Sequence, residues 1–295
     1  MRNAIALFFI LASLFAAGNN PWQPAGDRIK TPWAEKVDPS NPLPEYPRPQ
    51  MVRTDWQNLN GLWDYAIAPK GKYLPDNFEG KILVPFAIES SLSGVQKKVG
   101  ENNELWYHRT FTLPSTWKNK KVLLRFGAVD WKTDVWINDI KAGTHSGGYT
   151  PFSFDITPFL AKGGVQKIVV RVWDPTDRSF QPRGKQVDRP QGIWYTSVTG
   201  IWQTVWIEPV SDSYIASLKS IPDIDGNTVT VNACVTGAGA GDLVEVTVSG
   251  QGKTISQAKA AAGQEVLLPV PSPNLWSPES PFLYDMEVTL TRGGV

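Results

Sequence analysis

The chain has 295 residues, 41% of them hydrophobic and 19% charged, with a formal net charge of +1. That length suggests about two ordinary domains. No run of five like charges occurs, so nucleic acid or an acidic membrane surface has no electrostatic hold on the chain.

Residues 1–18 read as a secretory signal. Arg2 supplies the positive start, Ala4 to Ala17 is almost wholly apolar, and Ala16 and Gly18 are small residues placed for cleavage after Gly18. The apolar run is short for a membrane span. The mature protein is therefore expected outside the cytoplasm, periplasmic or extracellular, with no membrane association after cleavage. Residues 19–50 carry eight prolines. Proline fixes φ and removes a donor, which excludes helix and central strand here. Composition alone allows a disordered linker or an extended arm pinned by Trp33 and Tyr46.

From 51 to 210 the pattern is strands and turns. Val122, Leu124 and Phe126 alternate with Lys121, Leu123 and Arg125, and Ile168, Val170 and Val172 alternate with Lys167, Val169 and Arg171. Period two with one or both faces apolar predicts sheets packed on sheets. Asn138 and Asp139 sit where a two-residue type I′ hairpin needs positive φ. Thr157 and Pro158 predict a short helix, with Thr157 as its cap and Phe159 and Leu160 covering one end of the sandwich. Trp131, Trp136, Trp173, Trp202 and Trp206 lie in or beside strands and are expected in the core or half-buried. Only an open indole face would point to sugar stacking. The segment from Gly192 to Glu208, GIWYTSVTGIWQTVWIE, places three tryptophans in a β-branched frame.

Residues 211–295 are poorer in tryptophan and richer in Ala, Val, Thr and Gly, with strand-like runs spaced as in an immunoglobulin-like sandwich. The single cysteine, Cys234, excludes an internal disulfide and reads as a buried strand thiol.

Little of the usual catalytic vocabulary is present. There is no phosphate-binding Gly-rich loop and no Gly-x-Ser-x-Gly elbow, and two histidines far apart in sequence give no metal-ligand spacing. No cofactor and no metal are expected. Retaining glycoside hydrolysis would need two carboxyl groups about 5–5.5 Å apart, and the only Asn-Glu pair, Asn103-Glu104, precedes a strand. Two polar stretches remain. One is Pro175 to Gly192, about 18 residues with almost no apolar content, a length usually functional or disordered inside a compact domain. The other is Glu101 to Tyr107. Plain packing between domains is the alternative reading for both.

Several of these stretches together resemble the sugar-binding domain of glycoside hydrolase family 2, the β-galactosidase and β-glucuronidase clan. They are Leu59-Asn-Gly-Leu-Trp-Asp64, Trp106-Tyr-His-Arg-Thr-Phe111, Phe126-Gly-Ala-Val-Asp130, Val135-Trp-Ile-Asn138, Gly147-Gly-Tyr-Thr-Pro-Phe152 and the two Gly-Ile-Trp triplets. The resemblance covers 31–209 strongly and 210–295 moderately, and it favours an ordered arm over 19–50. It implies an all-β chain: a jelly-roll, galactose-binding-like sandwich over 51–210, then an immunoglobulin-like sandwich over 211–295. In relatives a further strand closes the second sandwich and a (β/α)8 barrel follows, carrying both catalytic glutamates. The chain is thus expected to end inside its second domain and to hold no catalytic residue. Its implied partners are a carbohydrate and the missing C-terminal barrel. In some family members the first domain lends an asparagine and an aspartate to the sugar pocket. Asn102 matches the first by position. Gln191 and Gly192 stand where the aspartate would be, and Asp188 is the nearest carboxylate. The expected substrate-binding set is Asn102, Asp188, Arg189 and Gln191. The whole would then be the N-terminal part of an exported glycoside hydrolase. A free carbohydrate-binding module and a cell-surface adhesion sandwich are the other two readings.

Overall fold

The alternating apolar stretches become strands in the computed structural model, which describes residues 22–26 and 30–292. The expected signal segment lies outside the described residues. Within them there are twenty strands and four short 3-10 turns, and no α-helix. The first fourteen strands are β1 (Gln57–Asn58), β2 (Gly61–Pro69), β3 (Gly80–Val84), β4 (Asn103–Thr112), β5 (Lys121–Phe126), β6 (Val129–Asp130), β7 (Lys132–Ile137), β8 (Ile140–Ser146), β9 (Phe152–Asp155), β10 (Val165–Trp173), β11 (Gln186–Val187), β12 (Tyr195–Thr196), β13 (Gly200–Ile201) and β14 (Val205–Val210). They build a six-stranded sheet ordered β3-β2-β4-β10-β7-β8 against a four-stranded sheet ordered β1-β14-β5-β9. The crossed order is that of a jelly-roll sandwich.

The core lies between these sheets. Trp63, Leu105, Tyr107, Val135, Ile168 and Val170 point inward from the larger sheet. Val122, Leu124, Phe126, Val205 and Ile207 meet them from the smaller one. With no disulfide, stability rests on this burial, about 1.5–3 kcal/mol for each large apolar side chain. The hairpin at 138–139 forms as expected, with φ of 48° at Asn138 and 68° at Asp139.

The second sandwich uses β15 (Tyr214–Asp223), β16 (Thr228–Thr236), β17 (Leu243–Gly250), β18 (Lys253–Ala261), β19 (Val266–Pro269) and β20 (Asp285–Thr291). Its sheets are ordered β15-β16-β19 and β18-β17-β20. Its separate core is aliphatic: Val231, Ala233, Val244, Val246, Val266 and Leu268.

Residues 42–48 of the proline-rich arm lie over the four-stranded sheet, and this explains why β14 is buried at every position. Its inward face packs in the core, while its outward Trp206 and Glu208 lie under the arm. Glu208, with no side-chain exposure, receives the Tyr46 hydroxyl at 2.7 Å, Arg48 at 2.9 Å, Arg125 at 2.7 Å and the Trp206 indole N–H at 3.0 Å. Arg53 adds a third cation at 3.3 Å and donates to the Ile215 carbonyl at 2.7 Å, so one carboxylate joins arm, first sandwich and second sandwich. Burial by itself raises the Glu208 pKa. The Arg125 and Arg48 charges and the bonds from Tyr46 and Trp206 outweigh it and hold the carboxyl below its usual range.

Three expectations are corrected. Cys234 is exposed, because Val229, Val231 and Ala233 take the inward positions of β16 and alternation turns Cys234 outward. Trp33 is 69% exposed and does not pin the arm; Tyr46 does, edge-on to Trp56 and Trp206. The helical piece is a single 3-10 turn, Thr157–Phe159, and Thr157 does not cap it. Asp155 accepts the Thr157 N–H at 3.0 Å, and the Thr157 hydroxyl accepts from the Val122 N–H at 2.8 Å. Phe159 and Leu160 do pack on the end of the core.

Removing the Glu208 charge leaves arginines facing one another in a closed site. Glu208→Gln is expected to lower unfolding stability by about 3–5 kcal/mol, read by urea denaturation. Equal midpoints for parent and variant would contradict the role given to this carboxylate.

Candidate functional site

The two polar stretches meet at one end of the jelly roll because the strands that carry them are neighbours. β4 begins at Asn103 and pairs along its length with β10, which ends at Trp173. The Trp173 indole N–H donates to the Glu101 carbonyl at 2.8 Å, tying the turn before β4 to the loop after β10. Gly100, at φ 75°, makes that turn, and Asn103 closes it onto the Val99 carbonyl at 2.8 Å. The long loop is ordered as well. Gln181 donates to the Thr176 carbonyl at 2.7 Å, and β11 and β12 pair in parallel across its neck.

Between the stretches lies a cleft of about 210 Å³, lined by Lys98, Asn102, Thr176, Arg178, Asp188 and Ser197 among others. Lys98 spans it, with its ammonium on the Asp188 main-chain carbonyl and 3.3 Å from the Asp188 carboxylate. Asn102 and Asp188 are thus brought to one cleft. Arg189 and Gln191 are exposed and stand outside its lining. A larger cavity, about 330 Å³, sits at the junction of the two sandwiches beside Arg53, Tyr214 and Leu290, and includes none of the four candidate residues.

Beneath the cleft is a group of buried acids that the sequence did not single out. Asp174, at the end of β10, accepts the Thr176 N–H at 2.7 Å and the Thr199 hydroxyl at 2.8 Å. Glu89 accepts the Thr199 N–H at 2.9 Å, and its other oxygen is buried without a partner. Asp130 lies against the turn at Gly148, where a Cβ would come within 2.5 Å of its carboxyl carbon. Gly200 is equally constrained: a Cβ there would meet the Tyr107 hydroxyl at 2.0 Å. No cation pairs with Glu89, Asp130 or Asp174 among the described residues. Burial first, and their mutual repulsion second, push Glu89 up to about 7 and Asp130 up to about 8. Asp174 is raised chiefly by burial. These acids do not form a glycosidic pair. Each is at most 4% exposed, so a saccharide cannot enter between them. Among the described residues no group of three or more His, Cys, Asp or Glu is arranged to hold a metal ion.

Four of the sheet tryptophans are buried or have a ring face engaged by a neighbouring side chain. Trp206 is buried. Trp106 and Trp136 stack at 5.8 Å with Arg171 lying 5.6 Å from both, and the Lys70 ammonium sits 3.3 Å over Trp173. Exposed aromatic surface is found instead on the long loop and just after it, at Phe180, Trp194 and Tyr195.

Comparison with known proteins matches residues 56–207 to the sugar binding domain of glycosyl hydrolases family 2 and residues 213–295 to glycosyl hydrolases family 2. A β-galactosidase of Thermoanaerobacter pseudethanolicus is 27% identical over 252 residues, covering 80% of this chain and 33% of that protein. A putative β-glucuronidase of Formosa agariphila is 31% identical over 267 residues, covering 82% and 24%. The crystal structure of Ruminococcus gnavus β-glucuronidase superposes with a TM-score of 0.67 at 21% identity, covering 83% of this chain and 44% of that one. The chain therefore spans less than half the length of the relatives it matches.

The raised acids have a consequence for stability. A folded-state pKa above the unfolded one means that the native state holds more protons between the two values, so stability falls as pH rises through that window. For Glu89 the window runs from 4.5 to about 7, and for Asp130 from 3.8 to about 8. Glu89→Gln is expected to be more stable than the parent at about pH 8, by on the order of 3 kcal/mol or less, and to show a flatter pH profile from about pH 5 upward. Denaturation midpoints across that range check it. A parent protein that gains stability through the window contradicts the assignment.

Proposed function

The chain belongs to glycosyl hydrolase family 2, and on that premise we propose that it is the non-catalytic N-terminal part of an exported glycosidase that hydrolyses O-glycosyl bonds. Its jelly roll and immunoglobulin-like sandwich serve as accessory domains. The cleft holding Asn102 and Asp188 forms one wall of the saccharide pocket, completed by a barrel that follows in the longer protein.

The observation that carries this reading is the pairing of the two family matches with the coverage. The matches tile residues 56–207 and 213–295, and the same alignments reach only 33% and 24% of the two curated relatives. The names of those relatives, β-galactosidase and putative β-glucuronidase, support β-glycoside substrates. The cleft supports a contributory role in binding: its side chains are donors and acceptors suited to hydroxyl groups, and the acids below it are closed to substrate. Export is supported by the Arg2 to Gly18 segment. Among the described residues no helix is long and apolar enough to cross a membrane.

Three measurements test the proposal. The purified chain should release no product from aryl β-galactosides or β-glucuronides above the buffer rate; turnover that disappears in Glu89→Gln or Asp130→Asn would overturn it. In the longer protein, Asn102→Ala should lower kcat/KM by about tenfold, the worth of one good polar contact. The exported product should begin at Asn19, as read by N-terminal mass spectrometry.

A further inference from the structure

The long loop carries a charge surplus that its own fold leaves uncompensated. Between Pro175 and Gly192 the cations are Arg178, Arg183, Lys185 and Arg189, and the carboxylates are Asp177 and Asp188. Asp177 lies 3.9 Å from Arg178, and Asp188 is engaged by Lys98. Arg183, Lys185 and Arg189 are left with no anionic partner among the described residues. The Arg183 Nε is buried and has no hydrogen-bond partner, while its guanidinium lies 6.0 Å from the centre of the Trp194 ring.

Two of these cations, Arg183 and Lys185, stand beside exposed aromatic surface. The parallel pairing of β11 and β12 sets Gln186 opposite Tyr195, and the Tyr195 N–H donates to the Lys185 carbonyl at 2.9 Å. Arg183 and Lys185 are therefore neighbours of Trp194 and Tyr195, which are 40% and 67% exposed. Gly184 and Gly192, both at φ 59°, make the turns that allow this juxtaposition. The Tyr149 hydroxyl holds Gln186 at 3.2 Å, so the platform is anchored to the sandwich.

We propose that Arg183, Lys185 and Arg189, with Trp194 and Tyr195, form a binding site for an acidic oligosaccharide, one bearing carboxylate or sulfate groups. The inference rests on the sugar-binding reading of the same loop. A guanidinium fork matches the planar geometry of a carboxylate and the oxygens of a sulfate ester. An aromatic ring with one wet side accepts the apolar C–H face of a pyranose while its cationic neighbours take the anion. Charge decides against simple packing onto a neighbouring domain. Burying three unpaired cations under a protein surface carries an uncompensated desolvation cost, whereas an acidic saccharide supplies the missing negative charge.

The test uses the full chain and calorimetric titration with an oligogalacturonide, the same oligosaccharide fully methyl-esterified, and a sulfated galactan oligosaccharide. The esterified form keeps the sugar and removes the charge. At least one acidic ligand should bind at least about tenfold more tightly than the ester, and its affinity should fall as salt rises from about 50 to about 300 mM. The acidic arm that responds more strongly identifies the anion. The triple variant R183Q/K185Q/R189Q should lose about tenfold in affinity for the acidic ligand. K185Q/R189Q, which changes only exposed side chains, should lose a smaller part with an unchanged unfolding midpoint. Trp194→Ala should weaken acid and ester alike. Equal binding of acid and ester, or affinity retained in folded charge variants, overturns the inference. Absence of binding to all three also overturns it, but leaves the accessory-domain reading intact, because that reading turns on product release by the chain.

Discussion

Glu208 is the charge on which the arrangement of this chain depends. A proline-rich segment cannot satisfy a sheet by ladder hydrogen bonds, since each proline removes a donor. It must be held by side chains. Here Tyr46 and Arg48 of the arm reach the same carboxylate as Arg125 of β5, and Arg53 carries the connection on to β15. The carboxylate is fully buried and stays ionised because its neighbours are cations and donors. This constraint sets the character of β14. A strand with the arm removed would present Trp206 and Glu208 to water. With the arm in place it is closed on both faces, and the four-stranded sheet becomes a layer between core and arm.

The acids under the cleft solve the opposite problem. Glu89, Asp130 and Asp174 have no cationic partner among the described residues, and burial raises all three. Their contacts go to Thr176, Thr199 and the close turn at Gly148, so they position backbone rather than neutralise charge. The loops that line the cleft are thus fixed from below by a group of acids, of which Glu89 and Asp130 change protonation near neutral pH. A carboxylate sharing Thr199 with a second carboxylate is a firm scaffold only while at least part of that charge is absent. The rigid sandwich supplies the remaining order through Trp173 and the β4–β10 pairing.

The sheets were legible because alternation is a local property. Val122, Leu124 and Phe126 announce one face of β5, and Asn138 and Asp139 announce a turn, without reference to any distant residue. Cys234 shows the same rule misapplied: Val231 and Ala233 already mark the inward positions, so period two places the thiol outside. What sequence could not reveal were contacts closed by the tertiary fold. Tyr46 and Glu208 are 162 positions apart, and nothing local marks Tyr46 as the anchor in preference to Trp33. Glu89 gave no signal because its partner, Thr199, arrives from the loop before β13, 110 positions later. For the cleft, the sequence pointed to both loops and to Asn102 and Asp188, which the fold brings together. It did not exclude Arg189 and Gln191 from the lining, since that depends on how the loop turns at its glycines.

The separation of these charges is informative. Among the described residues, three unpaired cations lie on the loop above three acids that have no cationic partner, all at one end of the first sandwich. Coulomb attraction would favour collapsing one set onto the other if the chain allowed it. The fold prevents this in two ways. The acids are held by Thr176 and Thr199, each buried and each donating to Asp174 or Glu89. The cations flank the β11–β12 neck, where Gln181 and Tyr149 brace the loop by neutral hydrogen bonds and Lys98 engages Asp188. Neutral hydrogen bonds thus do much of the holding, and Arg183, Lys185 and Arg189 are left with no anionic partner among the described residues. A surface built in this way keeps its electrostatic affinity for a ligand arriving from solution, because no internal carboxylate has to be displaced first.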